Sequence, residues 1–252
     1  MMNPAEFANI AQAEEKFWWY RGMRRITFAL LDRVVQGRGI RDALEAGCGT
    51  GHFSLQLARR YGWRMYSLDL GWEGLEYGRR MGAPRLTQAD ICALPYAPAA
   101  FDAVVSMDVI VHLPRGEEGK PLAEFARVLR PGGLLALRVS ALDVLRSHHS
   151  EWAEERQRFT KGRLVRAAEA AGFRVLRCSY ANSLLFPVAL TKFRVIEPLS
   201  GAKPSSGVEP VPGWLDSMLH APLALEAGWL GAGGEFPVGQ SLLLLADRPG
   251  VV

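Results

Sequence analysis

Apolar and polar positions alternate along this chain in two rhythms, one of helical period and one of short unbroken apolar runs. Ile26, Leu30, Leu31, Val34 and Val35 recur at helical spacing, and the pattern predicts a helical lead-in over residues 5–36. Within it Phe17-Trp18-Trp19-Tyr20 are four consecutive aromatic positions. One helix face buries two of them, so the others need a second surface or a ligand. Two readings stay open: a cap on the main core, or a lid over something bound.

Residues 42–46 then read as a first strand and 64–70 as a second, with a crossover helix between them in 53–62. A helix over 73–81, a short strand at 84–89 and a strand at 101–105 follow. A helix over 122–129 is stopped by Arg130-Pro131-Gly132-Gly133, and residues 134–139 read as an apolar fifth strand. After a polar stretch at 143–158, Thr160 is placed to cap a helix over 161–171, ended by Gly172. Sixth and seventh strands are predicted at 173–180 and 240–246. Between them lie a predicted helix (184–196), a Pro/Gly/Ser stretch (198–213) read as a disordered or mobile loop, and a second helix (214–227). Apolar strands alternating with helices predict an α/β fold with a doubly wound sheet buried on both faces.

Composition narrows this frame. The chain has 252 residues, 49% of them hydrophobic, enough to bury one large domain or one domain with an insertion. The net charge of +4 is spread over isolated pairs such as Arg24-Arg25, Arg59-Arg60 and Arg79-Arg80. No long basic block marks a nucleic-acid tail, so nucleic acid ranks well below a small molecule as substrate. Cys48, Cys92 and Cys178 show no C-x-x-C spacing, which points to neither a disulfide framework nor a metal site. Cys48 sits inside a glycine-rich turn, where a small packing residue is favoured over a nucleophile. The first residues lack a basic segment followed by an apolar run, and the 178–191 stretch is too short and polar to span a bilayer. The expectation is a soluble cytoplasmic protein, monomer or homodimer.

The chemistry concentrates at Leu44-Glu45-Ala46-Gly47-Cys48-Gly49-Thr50-Gly51. Here a strand runs into a glycine turn and then a helix. Glycines at alternate positions let the backbone turn sharply and bring its N–H groups close to a ligand, and the helix start adds a positive dipole end. Glu45, read as part of the turn, accepts from a cation or hydroxyl. A site with both polarities suits a zwitterion. Further acids follow in order: Asp69 after the second strand, and Asp90 with Ile91 after the third. In a doubly wound sheet these lie at the carboxyl edge, beside the topological switch point.

In this order of motifs the sequence resembles the class I S-adenosylmethionine-dependent methyltransferases, strongly over residues 42–139 and weakly elsewhere. The G-x-G-x-G spacing departs from the G-x-G-x-x-G of dinucleotide loops. The resemblance implies a seven-stranded, mostly parallel Rossmann-like sheet and S-adenosyl-L-methionine as cofactor, with S-adenosyl-L-homocysteine as product. It assigns Glu45, Gly47, Gly49 and Gly51 to the methionine end, Asp69 to the ribose hydroxyls, and Leu70 to the adenine's side. Asp90 falls to the adenine amino group, Ile91 to its ring, and Met107 and Asp108 to the methyl-donor side. Asp102 is chiefly structural in the family. Many relatives carry Glu-His after strand four; here Val111-His112 lacks the acid, which favours a packed or N-capping histidine. The aromatic-arginine lead-in (residues 15–25) resembles one bacterial branch, with Tyr20 and Arg24 as its expected cofactor contacts. The His148-His149-Ser150-Glu151 stretch and the Arg158-Phe159-Thr160 that follows it resemble that branch too.

Methyl transfer needs mainly proximity, orientation and exclusion of water. Where the acceptor must lose a proton, His148, His149 and Glu151 are the candidate bases, set against a plain polar surface loop. The expected organisation is a lead-in or lid (1–36), a core (37–183 and 238–252), and an insertion (184–237) that covers the acceptor pocket or forms a dimer contact. The favoured function is methyl transfer to a small molecule. RNA or protein methylation, and non-catalytic S-adenosylmethionine binding, are the alternatives.

Overall fold

Strand–helix alternation closes into one seven-stranded sheet in the computed structural model, which describes residues 3–201, 203–208 and 211–250. The strands are β1 (Asp42–Ala46), β2 (Arg64–Asp69), β3 (Leu86–Gln88), β4 (Phe101–Met107), β5 (Leu129–Ser140), β6 (Arg174–Ala181) and β7 (Ser241–Asp247). Their order is β3-β2-β1-β4-β5-β7-β6. Neighbours from β3 through β5 are parallel, while β7 runs antiparallel to both β5 and β6. The chain reverses its direction of travel across the sheet between β1 and β4, so the crevice at the switch point opens above their carboxyl ends.

Every residue of β1 and of β7 is buried, as central strands covered on both faces require, although β1 carries Asp42 and Glu45. One face of the sheet packs on α5 (Gly119–Val128) and α7 (Lys161–Ala170), through Leu122, Phe125, Leu164 and Ala168. The other packs on α2 (Trp18–Val35), α3 (His52–Tyr61) and α10 (Gly213–Gly231), through Met23, Ile26, Leu30, Leu57, Leu223 and Leu230. Each fully buried aliphatic side chain here contributes roughly 1.5–3 kcal/mol of transfer free energy.

Two predicted helices differ from the expectation. The 5–36 helix is broken into α1 (Pro4–Ala13) and α2, because the N–H groups of Lys16 and Phe17 both turn back to the Ala13 carbonyl. Phe17 offers no side-chain cap to α2. Asp216 of α10 does so instead, accepting from Trp18 N–H at 2.8 Å and pairing with Arg21 at 2.7 Å. The predicted 184–196 helix divides into α8 (Phe186–Thr191), a π-turn at Lys192–Ile196 and α9 (Glu197–Ser200). Of the Pro/Gly/Ser stretch, residues 202, 209 and 210 lie outside the described residues; the remainder after α9 is without regular structure until α10.

The 184–237 segment therefore serves two places. α10 lies against α2, so tightly that a Cβ on Gly22 would meet Leu223 Cδ1 at 2.2 Å. The part before it folds over the carboxyl edge of the sheet. At the opposite edge Asp102 accepts from the N–H groups of Arg41 and Asp42, both at 2.9 Å, and pairs with Arg130 at 2.5 Å. No helix among the described residues is long and apolar enough to cross a membrane.

Candidate active site

A continuous cavity of about 810 Å³ lies above the carboxyl ends of β1, β2, β4 and β5, a size that accommodates drug-sized ligands. Its floor begins at the turn after β1. Gly47 and Gly49 have φ of +83° and +54°, left-handed conformations that favour glycine. A Cβ on Gly47 would lie 2.2 Å from Val109 Cγ2, whereas at Gly49 it would meet only Phe7 Cε1, at an ordinary 3.9 Å, and Gly49 lines the cavity.

The acids sit on this floor. Glu45 belongs to β1 rather than to the turn, is 2% exposed, and accepts from the Ser54 hydroxyl. Burial pushes its carboxyl up to about 8. Asp69, at the end of β2, accepts from Gly49 N–H and Gly71 N–H, both at 2.7 Å. It thereby ties the glycine turn to the next strand. Burial raises its carboxyl, and these N–H groups oppose the rise. Each of its oxygens still has a lone pair for a hydroxyl. Asp90 is exposed at the rim and accepts from Cys92 N–H at 2.8 Å, while Ile91 beside it is buried and Leu70 half-exposed. Burial also raises the Cys48 thiol well above its usual value, the environment of an inert packing cysteine.

The lead-in forms the roof. Phe17, Trp18, Trp19 and Tyr20 all line the cavity, with Trp19 and Tyr20 edge-to-face at 5.1 Å between centroids. Trp18 and Trp19 also pack against the α2 side of the core. Arg24 donates to the Glu14 carbonyl at 3.1 Å and lies 3.3 Å from His52 Nε2; burial lowers its pKa. Over the far half, α6 (His148–Trp152), α8 and the chain after α9 close the wall. Glu6 of α1, 1% exposed, accepts from Trp152 Nε1 and Ser206 Oγ, both at 2.9 Å, and so joins α1 to α6 and to the chain after α9.

Residues 44–137 match a family described as a methyltransferase domain. The fold and the ordered acids at its carboxyl edge agree with that match. The sheet has the Rossmann-like methyltransferase fold, and residues 44–137 carry the likeness to methyltransferases. The chain is 37% identical to a malonyl-acyl-carrier-protein O-methyltransferase of Enterobacter lignolyticus over 130 residues, covering 51% of this chain and 50% of that one. A Salmonella typhimurium protein of the same name is 26% identical over 243 residues, 94% of each chain. Several of the curated relatives it matches are spanned over only about half their length. Among solved structures, the cyclase SpnF superposes with a TM-score of 0.61 at 20% identity, covering 92% of this chain and 83% of that chain. That likeness speaks for the fold alone.

Of the positions singled out in the sequence, Tyr20, Arg24, Glu45, Gly47, Gly49, Asp69, Leu70, Asp90, Ile91, Met107, Asp108, His148 and His149 line the cavity. Gly51 does not: it starts α3, and a Cβ there would meet Ala83 at 2.6 Å, so its task is packing against the strand-three side. Glu151 does not either. On the short helix α6 it is exposed, while Ser147, Ser150 and Ala153 line the cavity. His112 caps no helix and is packed into the cavity wall. It ends the 3-10 turn Ile110–His112 on the cavity wall, with Nδ1 3.2 Å from the Glu154 carbonyl and its pKa lowered by burial.

Sequence reasoning missed Arg138, which pairs with Asp108 at 2.7 Å and lies 5.1 Å from the Trp19 ring centre. A lone cation in the apolar run of β5 was the available signal. It also missed Glu14, and Glu155, which pairs with the buried Arg158 at 2.8 Å.

Proposed function

We propose that this methyltransferase transfers the methyl group of S-adenosylmethionine to an oxygen of a small, largely apolar molecule. The observation that carries the proposal is the continuity of one cavity. Its β1–β3 side presents Glu45, Asp69, Asp90 and the glycine turn, while its β4–β5 side is walled by Trp18, Trp19, Leu113, Leu185, Val188 and Phe193. The donor set fits the cofactor. Carboxylates and Arg24 suit its zwitterionic end, Asp69 its vicinal hydroxyls, and Leu70, Asp90 and Ile91 its adenine. Met107, Asp108 and Tyr20 then stand between the two halves. The O-methyltransferases among the relatives support an oxygen nucleophile.

When bound, S-adenosylmethionine supplies an electrophilic methyl carbon, whose bond electrons return to sulfur in an in-line displacement. The chain's own part is placement and dryness. The aromatic roof and the insertion wall exclude water, and the Asp108–Arg138 pair holds the turn after β4 in place. A neutral His112 whose Nδ1–H donates to the Glu154 carbonyl keeps Nε2 as an acceptor for the proton an acceptor hydroxyl loses. Of the three bases read from the sequence, His148 and His149 stand on the wall beside it. His149 is bonded through Nδ1 to the Ser206 carbonyl.

Isothermal calorimetry with S-adenosylhomocysteine tests the first half of the proposal, and transfer of a labelled methyl group to a panel of apolar hydroxy and carboxylic acids tests the second. Tight binding with no transfer to any oxygen acceptor would leave a cofactor-binding protein and overturn the catalytic reading.

A further inference from the structure

The break between α1 and α2 puts one acid into the cavity that no motif announces. Glu14 follows the last residue of α1, is 8% exposed and lines the cavity. Its Oε2 accepts from the Thr50 hydroxyl at 2.6 Å, which joins the lead-in directly to the glycine turn. Its backbone is held from the other side by Arg24, whose Nη1 donates to the Glu14 carbonyl at 3.1 Å. Its Oε1 is buried and has no hydrogen-bond partner. An unpartnered buried carboxylate oxygen is costly, and such groups mark places where a ligand completes the bonding.

The chemistry of that ligand follows from the neighbours. Glu45 lines the same cavity from β1, so two carboxylates with little solvent reach one end of it. Arg24 stands on the roof beside them, and the N–H groups of the glycine turn lie below. Two acids close together favour a cation between them, and a guanidinium favours an anion next to it. Burial pushes Glu14 up to about 7, the state of a carboxyl that lacks its counter-charge.

We propose that Glu14 receives the α-ammonium group of the bound cofactor's amino-acid end, so that the lead-in segment is itself part of the cofactor site and closes onto the ligand through the Thr50–Glu14 bond. This rests on the cofactor reading given above. It makes the ligand's amino group the element that the lead-in senses.

Glu14→Gln tests it cleanly. Glutamine keeps an oxygen for the Thr50 hydroxyl and removes only the charge and the second acceptor. Calorimetric affinities are measured for wild type and variant with S-adenosylhomocysteine, with its deaminated analogue, and with 5′-methylthioadenosine, which lacks the amino-acid end altogether. A lost hydrogen bond to a charged group corresponds to roughly a tenfold to hundredfold loss. That loss is expected for S-adenosylhomocysteine alone, with the other two ligands within about twofold of wild type. Equal weakening of all three ligands shows that Glu14 only shapes the fold, and unchanged affinity for S-adenosylhomocysteine shows that it does not meet the ligand; either overturns the proposal while leaving the cofactor site in place. Wild-type protein that binds neither S-adenosylhomocysteine nor 5′-methylthioadenosine overturns the cofactor reading and this proposal together.

Discussion

Asp69 is the residue on which most of the site depends, because its two oxygens do two things. They hold the N–H groups of Gly49 and Gly71, and they keep lone pairs free for hydroxyls. Asp69→Ala is expected to lower S-adenosylhomocysteine affinity by at least about a hundredfold, the scale of two charge-assisted bonds. Calorimetry checks this; affinity like that of wild type would remove Asp69 from the site. Gly47 makes a different demand. Its φ of +83° strains any side chain, and a Cβ would press on Val109 from 2.2 Å. Gly47→Ala is therefore expected to cost about 1–3 kcal/mol of stability, read from the shift of the urea midpoint.

At the scale of elements, the informative contact is the one that sets where α2 begins. No residue near Phe17 caps this helix, and Asp216 of α10 takes the Trp18 N–H from 198 positions away in sequence. Removing a cap costs about 0.5–2 kcal/mol, and the half-exposed pair with Arg21 adds little to it. Asp216→Ala should lower the unfolding free energy by that amount, while Asp216→Asn, which keeps the acceptor oxygen, should recover most of it. Because the same helix start carries the aromatic roof, Asp216→Ala should also weaken S-adenosylhomocysteine binding, an effect that calorimetry separates from stability alone. If the alanine variant unfolds and binds like wild type, α10 is not what positions the roof.

For the whole molecule, two buried acids set a pH dependence. Glu14 and Glu45 have carboxyls raised by burial from an ordinary value near 4.5 to about 7 and about 8. A raised folded-state pKa means that the folded chain holds the proton more tightly than the unfolded chain. The stability this brings is complete below about 4.5 and is lost as pH rises through the folded values. His52 and His112, both lowered by burial, act in the opposite sense at lower pH and are neutral above 7. The ligand-free protein is thus expected to lose melting temperature between about pH 7 and 8.5, and Glu45→Gln should flatten the slope. Over the same range the melting shift given by S-adenosylhomocysteine should grow, because its ammonium favours the charged carboxylates. A melting temperature that rises over this window would contradict the burial of these acids without counter-charge.

The sheet was legible in the sequence because strands β5 and β7 carry apolar runs and the crossover helices carry their own stops, as at Gly62 and Gly172. So were the glycine turn, Asp69 and Asp90, which lie at strand ends and therefore fall at one edge of any doubly wound sheet. Position relative to a strand end is local information. The remainder depended on contacts between distant segments. Gly51 reads like Gly47 and Gly49, but packing against Ala83 turns it away from the cavity. Glu151 reads like a partner of His148 and His149, but the direction of a short helix leaves it in solvent. Glu14 reads as an ordinary surface acid until the break after α1 brings it to Thr50. What the sequence by itself determined was the order of strands and the chemistry at their ends, because both follow from hydrophobic period and turn residues. Only the tertiary structure decided which side chains share the cavity, because burial and partnership depend on segments that meet only after the chain has folded.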